Sequence, residues 1–327
     1  MGLIRKKISK VYQYTKVLGE GFSYFLNNMK YFRRYSNLNS KNDNEACMRS
    51  SLIASYHIIE KGLSMPNRRL GFGRERLLSL INDCYKYHSL YGMNNQLGYA
   101  ISIVKEYDVL HNKEHYQLDN DLKSAIDGLL AGFPNVLPAQ QETFTKLTYF
   151  AHSGDSFEAF SKSRHSMRHF AGGVTIDRLR DAVELAKQAP SACNKQPVRV
   201  YAVTQRETVN AVLSLQQGNR GFGNDIDKVL VITTRFAECT RYSEQYMPFV
   251  DAGIFTMNLL YSLHYKKIGA IPLVWLSTKK RDQELRKLIA IPENETPAII
   301  VGVGDVSDTI VCAQSPRLET EELFIVK

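Results

Sequence analysis

From about residue 160 onward, short runs of strand character alternate with amphipathic stretches of helical period. That alternation restricts the fold more than any other feature of the chain. VRVYAV (198–203), KVLVITT (228–234), AIPLVWL (270–276) and AIIVGVG (298–304) read as strands. Between and before them lie helical patterns. TIDRLRDAVELAKQ (175–188) puts Ile176, Leu179, Val183 and Ala186 on one stripe and is ended by Pro190. Thr204 and Glu207 form a capping box before VNAVLSL. VDAGIFTMNLLYSLHY (250–265) is a long, mostly buried helix, and KRDQELRKLI (280–289) is another helix. These pairings predict an α/β or α+β domain with helices packed on a central sheet.

The first half has a different texture. Residues 1–155 show helical patterning with little strand signal, as in RERLLSLINDCYKYHSLYG (74–92) and NDLKSAIDGLLAGF (120–133). The chain therefore divides into a helical region, 1–155, and a mixed region, 156–327. With 44% hydrophobic residues in 327, either region can bury a core. The net charge of +9 is concentrated at the amino terminus, where residues 1–50 hold ten Lys/Arg against three acids. Interleaved with YQYTK and FSYFLNNMKYFRRY, that charge suits an anionic membrane surface or an acidic partner, or simply a solvated helical extension. A dense loop follows at 56–77, with Glu60, Lys61, Arg68, Arg69 and Arg74. It reads either as a lid or anionic-substrate site, or as a structured turn between helices.

No run approaches the eighteen apolar residues of a transmembrane helix, and the amino terminus lacks a secretory signal. The five cysteines (47, 84, 193, 239, 312) have no paired spacing, so the expectation is a cytoplasmic chain with reduced thiols, peripheral at the membrane at most. His111 and His115 sit at i, i+4 without the Glu of a zinc helix, and no metal site is expected. GFG (71–73) and GVGD (302–305) lack a third glycine, and there is no Walker loop. A nucleotide cofactor would have to be held some other way.

SRHSMRHF (163–170) is too short and isolated for a nucleic-acid patch. It suits one phosphate better: Arg164 and Ser166 are two apart, so an extended segment turns both to the same side. In APSACNKQPVRVYAV (189–203), Ser191 and Asn194 could hydrogen-bond a planar heteroaromatic ring at a sheet edge; an ordinary turn is the alternative.

Taken together, these stretches resemble the FMN-dependent nitroreductase family. The family's amino-terminal signature appears as Arg164-His165-Ser166-Met167-Arg168-His169-Phe170, and its Ala-Pro-Ser-x-x-Asn-x-Gln-Pro motif as residues 189–197. DAGIFTMNLL (251–260), GAIPLVW (269–275) and a closing arginine, Arg317 in SPRL, follow in order. The resemblance covers roughly half of the chain, residues 160–327. It implies a three-layer α+β fold whose central sheet is mixed and mainly antiparallel. It also implies a homodimer with a flavin at each interface. Arg164, Ser166 and Arg317 would bind the FMN phosphate, with His165 beside them, and Arg168 would lie near the pyrimidine edge. Pro190, Ser191 and Asn194 would contact ring or ribityl chain, as would Asn219 in QQGNRGF, and Leu273, Val274 and Trp275 would run beside N5.

The activity implied is ping-pong hydride transfer from NADH or NADPH through the flavin to a small acceptor, with Tyr242 and Tyr246 as candidates for lining the acceptor pocket. A flavin-dependent dehydrogenase or oxidase is a second reading. A third is a flavin-binding accessory protein of surface-polysaccharide synthesis, because similar amino-terminal extensions occur on nitroreductase-like proteins of that setting. Three departures matter. Val198 stands where an aromatic is common, Val274 where some members have an acid, and Ser315 where a basic residue often precedes the closing arginine. The first two alter the surroundings of the ring, so substrate preference does not transfer, and the third leaves fewer charges on the phosphate. Cys193, inside the motif, has no partner pattern for a nucleophile and reads as a small packing residue.

Overall fold

The computed structural model describes residues 2–38 and 44–327, with side chains from residue 15 onward. The basic positions 5, 6, 7, 10 and 41 lie outside the described side chains. Five helices come first: α1 (Gly2–Tyr35), α2 (Glu45–Leu63), α3 (Arg74–Tyr91), α4 (Asn95–Lys113) and α5 (Asn120–Gly132). Local chemistry sets their starts. Asn44, Asn94 and Asp119 accept hydrogen bonds from the amides of Cys47, Leu97 and Leu122 at 2.9, 2.9 and 3.1 Å. The buried stripe of α2 is Leu52, Tyr56, Ile59 and Leu63, at helical spacing. It packs with Leu80 and Cys84 of α3, Ile101 and Val104 of α4, and Ile126 of α5 into a core of its own. α1 stands apart from that core and meets the 242–246 turn, where Asn28 Nδ2 donates to Tyr246 Oη at 2.9 Å.

The chain continues through β1 (Glu142–Thr145), α6 (Lys146–Tyr149), α7 (Phe157–Ser163), β2 (Phe170–Gly172), α8 (Ile176–Ala186), β3 (Arg199–Val203) and α9 (Arg206–Leu215). It closes with β4 (Lys228–Arg235), α10 (Met247–Tyr265), β5 (Gly269–Val274), α11 (Lys279–Leu288), β6 (Glu295–Val306), β7 (Thr309–Cys312) and α12 (Thr320–Leu323). The long strand β6 organises the sheet, pairing with β4, with β5 and, through its last residues, with β2; β3 lies outside β4. Every pairing among the described residues is antiparallel.

The period of two along β4 builds three layers. Val229 and Val231 pack with Val209 and Val212 of α9 and Leu285 of α11. Leu230 and Ile232 pack on the other face with Leu179 of α8 and Leu259 and Leu263 of α10. An α+β fold with a helical amino-terminal region is what the structure has. The two regions also interlock. β1 pairs antiparallel with β7, from Glu142 opposite Cys312 to Thr145 opposite Thr309, and Tyr149 and Phe150 bury in the sheet's core.

Two local expectations are corrected. α9 starts at Arg206 with Gln205 at its N-cap and no capping side chain, one residue too late for a Thr204–Glu207 box. The Arg206 guanidinium instead donates to the carbonyls of Ile226 and Asp227 at 2.7 and 3.1 Å. α8 buries Leu179, Ala182 and Ala186, while Ile176 in its first turn is 40% exposed; the stripe is rotated towards Ala182.

Candidate functional site

The SRHSMRHF segment leaves α7 in an extended conformation, with Arg164 at φ −82° and ψ 117°. The Met167 amide donates to the carbonyl of Ala270 at 2.9 Å, and the Met167 side chain is fully buried. That anchor turns the alternate residues Arg164, Ser166 and Arg168 into one cavity of about 710 Å³, which Lys162, His57 and Arg317 also line. The Nε atoms of Arg164 and Arg168 are buried without a hydrogen-bond partner. Burial lowers the Arg168 pKa and the nearby Glu60 carboxylate opposes that shift, so Arg168 stays a cation. Behind Arg164, His264 bonds Ser163 Oγ through Nε2 at 2.8 Å. Burial, with the neighbouring Arg164 and His165, pushes it down to about 4, so it is neutral at ordinary pH.

A second cavity of about 400 Å³ shares His57, Arg168, Ile271 and Pro272 with the first. It adds Lys61, Gln216–Gly218 and the chain from Leu273 to Leu276. Arg168 thus belongs to both spaces. Leu273 and Trp275 are buried, with Trp275 Nε1 donating to Asp282 at 3.3 Å, while Val274 is 63% exposed and its carbonyl accepts from Gln216 Nε2 at 3.1 Å. Lys61 Nζ donates to the Gly218 carbonyl at 2.7 Å. Burial, together with the cations of Arg168 and Arg220, pushes Lys61 down to about 8.

Of the candidates at 56–77, Lys61 lines the second cavity, Glu60 bonds His57, which lines both, and the three arginines line neither. Arg68 donates to the Leu63 carbonyl at 3.1 Å and Arg74 pairs with Asp119 at 2.9 Å. Both are structural contacts of a turn between helices. His57, one turn before Glu60 and Lys61 on the same helix, was not singled out by the sequence. Its i, i+3 spacing to Glu60 is the signal that could have found it.

Other expected residues sit elsewhere. Pro190, Ser191 and Asn194 line neither cavity. Ser191 Oγ accepts from the Gln196 amide at 3.0 Å, and Asn194 Oδ1 from Gln196 Nε2 at 3.1 Å. The turn is held by the Asp251 carboxylate, which accepts from the Ala192 amide at 3.1 Å. Cys193 is exposed at φ 51°, so it is not a packing residue: the left-handed turn carries it to the surface. Asn219 donates to the carbonyls of Leu213 and Gln216, both at 2.7 Å, and lines a separate cavity of about 390 Å³. His165 lines the first cavity, and the carbonyl of His165 accepts from Tyr149 Oη at 3.0 Å. Tyr242 and Tyr246 line a different apolar cavity of about 1050 Å³, together with Phe25, Met29 and Phe32 of α1. His111 is buried; its Nε2 accepts from the Gly71 amide at 2.8 Å and its Nδ1 donates to the Tyr107 carbonyl at 2.7 Å.

Among curated proteins, none matches this chain. Several solved structures are similar to part of it. A nitroreductase family protein from Streptococcus pneumoniae is 20% identical, over 53% of this chain and 100% of its own, with a TM-score of 0.46. NfrA2 from Bacillus megaterium is 20% identical over 51% of this chain and 72% of its own, TM-score 0.46. An FMN-dependent nitroreductase from Clostridium difficile is 17% identical over 50% of this chain and 92% of its own, TM-score 0.40. Residues 162–220 match the Nitroreductase family. The matched stretch holds Arg164, Ser166, Arg168 and the 189–197 turn.

Proposed function

We propose that the chain is an FMN-dependent oxidoreductase of the nitroreductase type. One observation carries the reading: two buried guanidinium Nε atoms, on Arg164 and Arg168, have no partner and belong to residues of the same cavity. Both arginines also line this cavity, where a dianionic phosphate with an electron-rich ring edge offers an acceptor to each guanidinium. Arg164, Ser166 and Arg317 would hold the phosphate, while Arg168 and Lys61, which share the second cavity, would lie near the pyrimidine edge. The backbone of Leu273–Trp275 flanks the reactive edge. Once bound, FMN supplies two-electron transfer between an NAD(P)H-class donor and a small acceptor. The chain contributes position and positive charge, which favours the anionic reduced form.

The site is completed by a second copy. Ser191 and Asn194 sit on an exposed turn away from both cavities, where they are available to a partner's flavin. α10 carries a matching unpartnered stripe, with Val250, Ile254, Met257 and Tyr265 between 37% and 52% exposed. The visible spectrum of the purified protein, before and after anaerobic NAD(P)H, tests the function. A yellow protein that bleaches supports the reading. A colourless protein that takes up no added FMN overturns it.

A further inference from the structure

The turn that brings Arg317 to the cavity is held almost entirely by residues from before position 142. Gln141 Oε1 accepts from the Gln314 amide at 3.2 Å, Glu60 Oε1 accepts from the Ser315 amide at 2.7 Å, and Gln96 Nε2 donates to the Arg317 carbonyl at 3.4 Å. Three nearby backbone groups are thus bound from α2, from α4 and from the residue just before β1. Ser315 sits at φ 47°, a left-handed conformation that residues other than glycine disfavour, so something must hold it there. Arg317 in turn donates to the Ser315 carbonyl, so the geometry of Ser315 is passed to the guanidinium.

Glu60 is the centre of this arrangement. It is fully buried, and its four bonds leave neither oxygen without a partner. Oε1 accepts from Tyr99 Oη and from the Ser315 amide, both at 2.7 Å; Oε2 accepts from His57 Nδ1 at 3.0 Å and from Ser315 Oγ at 3.3 Å. A carboxylate placed this deep persists only with such a shell. The bond to Nδ1 also fixes the ring of His57, which lines both cavities. We propose that Glu60 is a positioning residue of the anion site. By clamping the 313–317 turn it aims Arg317 at the cavity, and it makes α2 a working wall of that site rather than an appended helix. The proposal rests on reading the cavity as the seat of the FMN phosphate.

The test uses the full-length protein and a double-mutant cycle. FMN affinity is measured by fluorescence quenching for wild type, Glu60→Gln, Arg317→Ala and the double variant. Amide exchange at Gln314 and Ser315 is measured without ligand. Glu60→Gln should raise the FMN Kd roughly tenfold, the worth of one charge-assisted hydrogen bond. It should speed exchange at Ser315, and it should add nothing in the Arg317→Ala background. Gln141→Ala, a milder change, should speed exchange at Gln314 and weaken FMN a few-fold, about 1 kcal/mol or less by the same scale; it serves if Glu60→Gln does not fold. Unchanged exchange with unchanged affinity in both single variants overturns the proposal. So does a fully additive cycle, which would show Glu60 acting independently of Arg317. If the wild type binds no FMN, the cofactor reading fails. The clamp is then judged by exchange in the ligand-free proteins and by titration with inorganic phosphate.

Discussion

The helical bundle α2–α5 and the sheet region after it differ in where buried polar atoms are left without a partner, although the sheet region also holds a fully bonded buried carboxylate in Glu295. In the bundle, Glu60 makes four hydrogen bonds and both ring nitrogens of His111 are paired. Four buried side-chain atoms among the described residues lack partners, and all lie in the second region: Arg164 Nε, Arg168 Nε, Glu238 Oε2 and His264 Nδ1. A satisfied buried group holds a structure together, whereas an unsatisfied one in a cavity wall marks a place where something else binds. Two of the four orphaned atoms belong to Arg164 and Arg168, which line the first cavity together with His57 of α2. Glu60 is where the two regions meet.

The largest effect expected from this contrast is on ligand retention. Arg164→Ala with Ser166→Ala should lower FMN affinity by at least about 100-fold, since two contacts to a charged group are lost. The thermal midpoint of the apo protein should move by no more than a few degrees. A midpoint drop matching that of a core mutant would erase the distinction between the two regions. Next comes Leu80→Ala, at a position 0% exposed in the bundle core. It should cost about 3 kcal/mol of stability in denaturant titration. FMN should still bind the folded variant with near wild-type affinity.

Two pH effects are smaller. Burial lowers the pKa of His165, His169 and His264, the last to about 4. The unfolded chain therefore takes up more protons, and stability should fall as pH drops from roughly 6.5 towards 4. His264→Asn should flatten that fall, as read by urea midpoints. Lys61, pushed down to about 8, is charged below that value, and its charge favours an anion. FMN affinity should thus be full between about pH 7 and 8, where the phosphate is still dianionic, and decline above that, by roughly tenfold at most. Lys61→Met should lose this dependence.

Strands β3 to β6 and helices α3, α5 and α8 to α11 were legible because their patterns are local. KVLVITT became β4, and residues 74–92 and 120–133 became α3 and α5, within one residue at each end, while AIIVGVG is the middle of β6, which runs three residues further back and two further on. Arg164, Ser166, Arg168 and Arg317 were named from motif order, and all four line one cavity. What escaped was non-local. Nothing near ETFT (142–145) announces that it pairs with residues 309–312, because strand pairing across that separation leaves no short-range pattern. His57 and the clamp from Glu60 to Ser315 depend on how α2 docks against a turn more than 250 residues away. In the 189–197 turn Ser191 and Asn194 bond within the turn and line neither cavity, an arrangement set by the fold around Asp251 rather than by local pattern.

The central claim is that Arg164, Ser166, Arg168 and Arg317 form the seat of FMN. A structure determined with FMN bound tests it most directly. The account predicts the phosphate within hydrogen-bond distance of Arg164 and Ser166 and the ring edge beside Arg168. It also predicts Ser191 and Asn194 of a second copy against the same flavin. FMN seated elsewhere, with the Nε atoms of Arg164 and Arg168 still unpartnered, would contradict it.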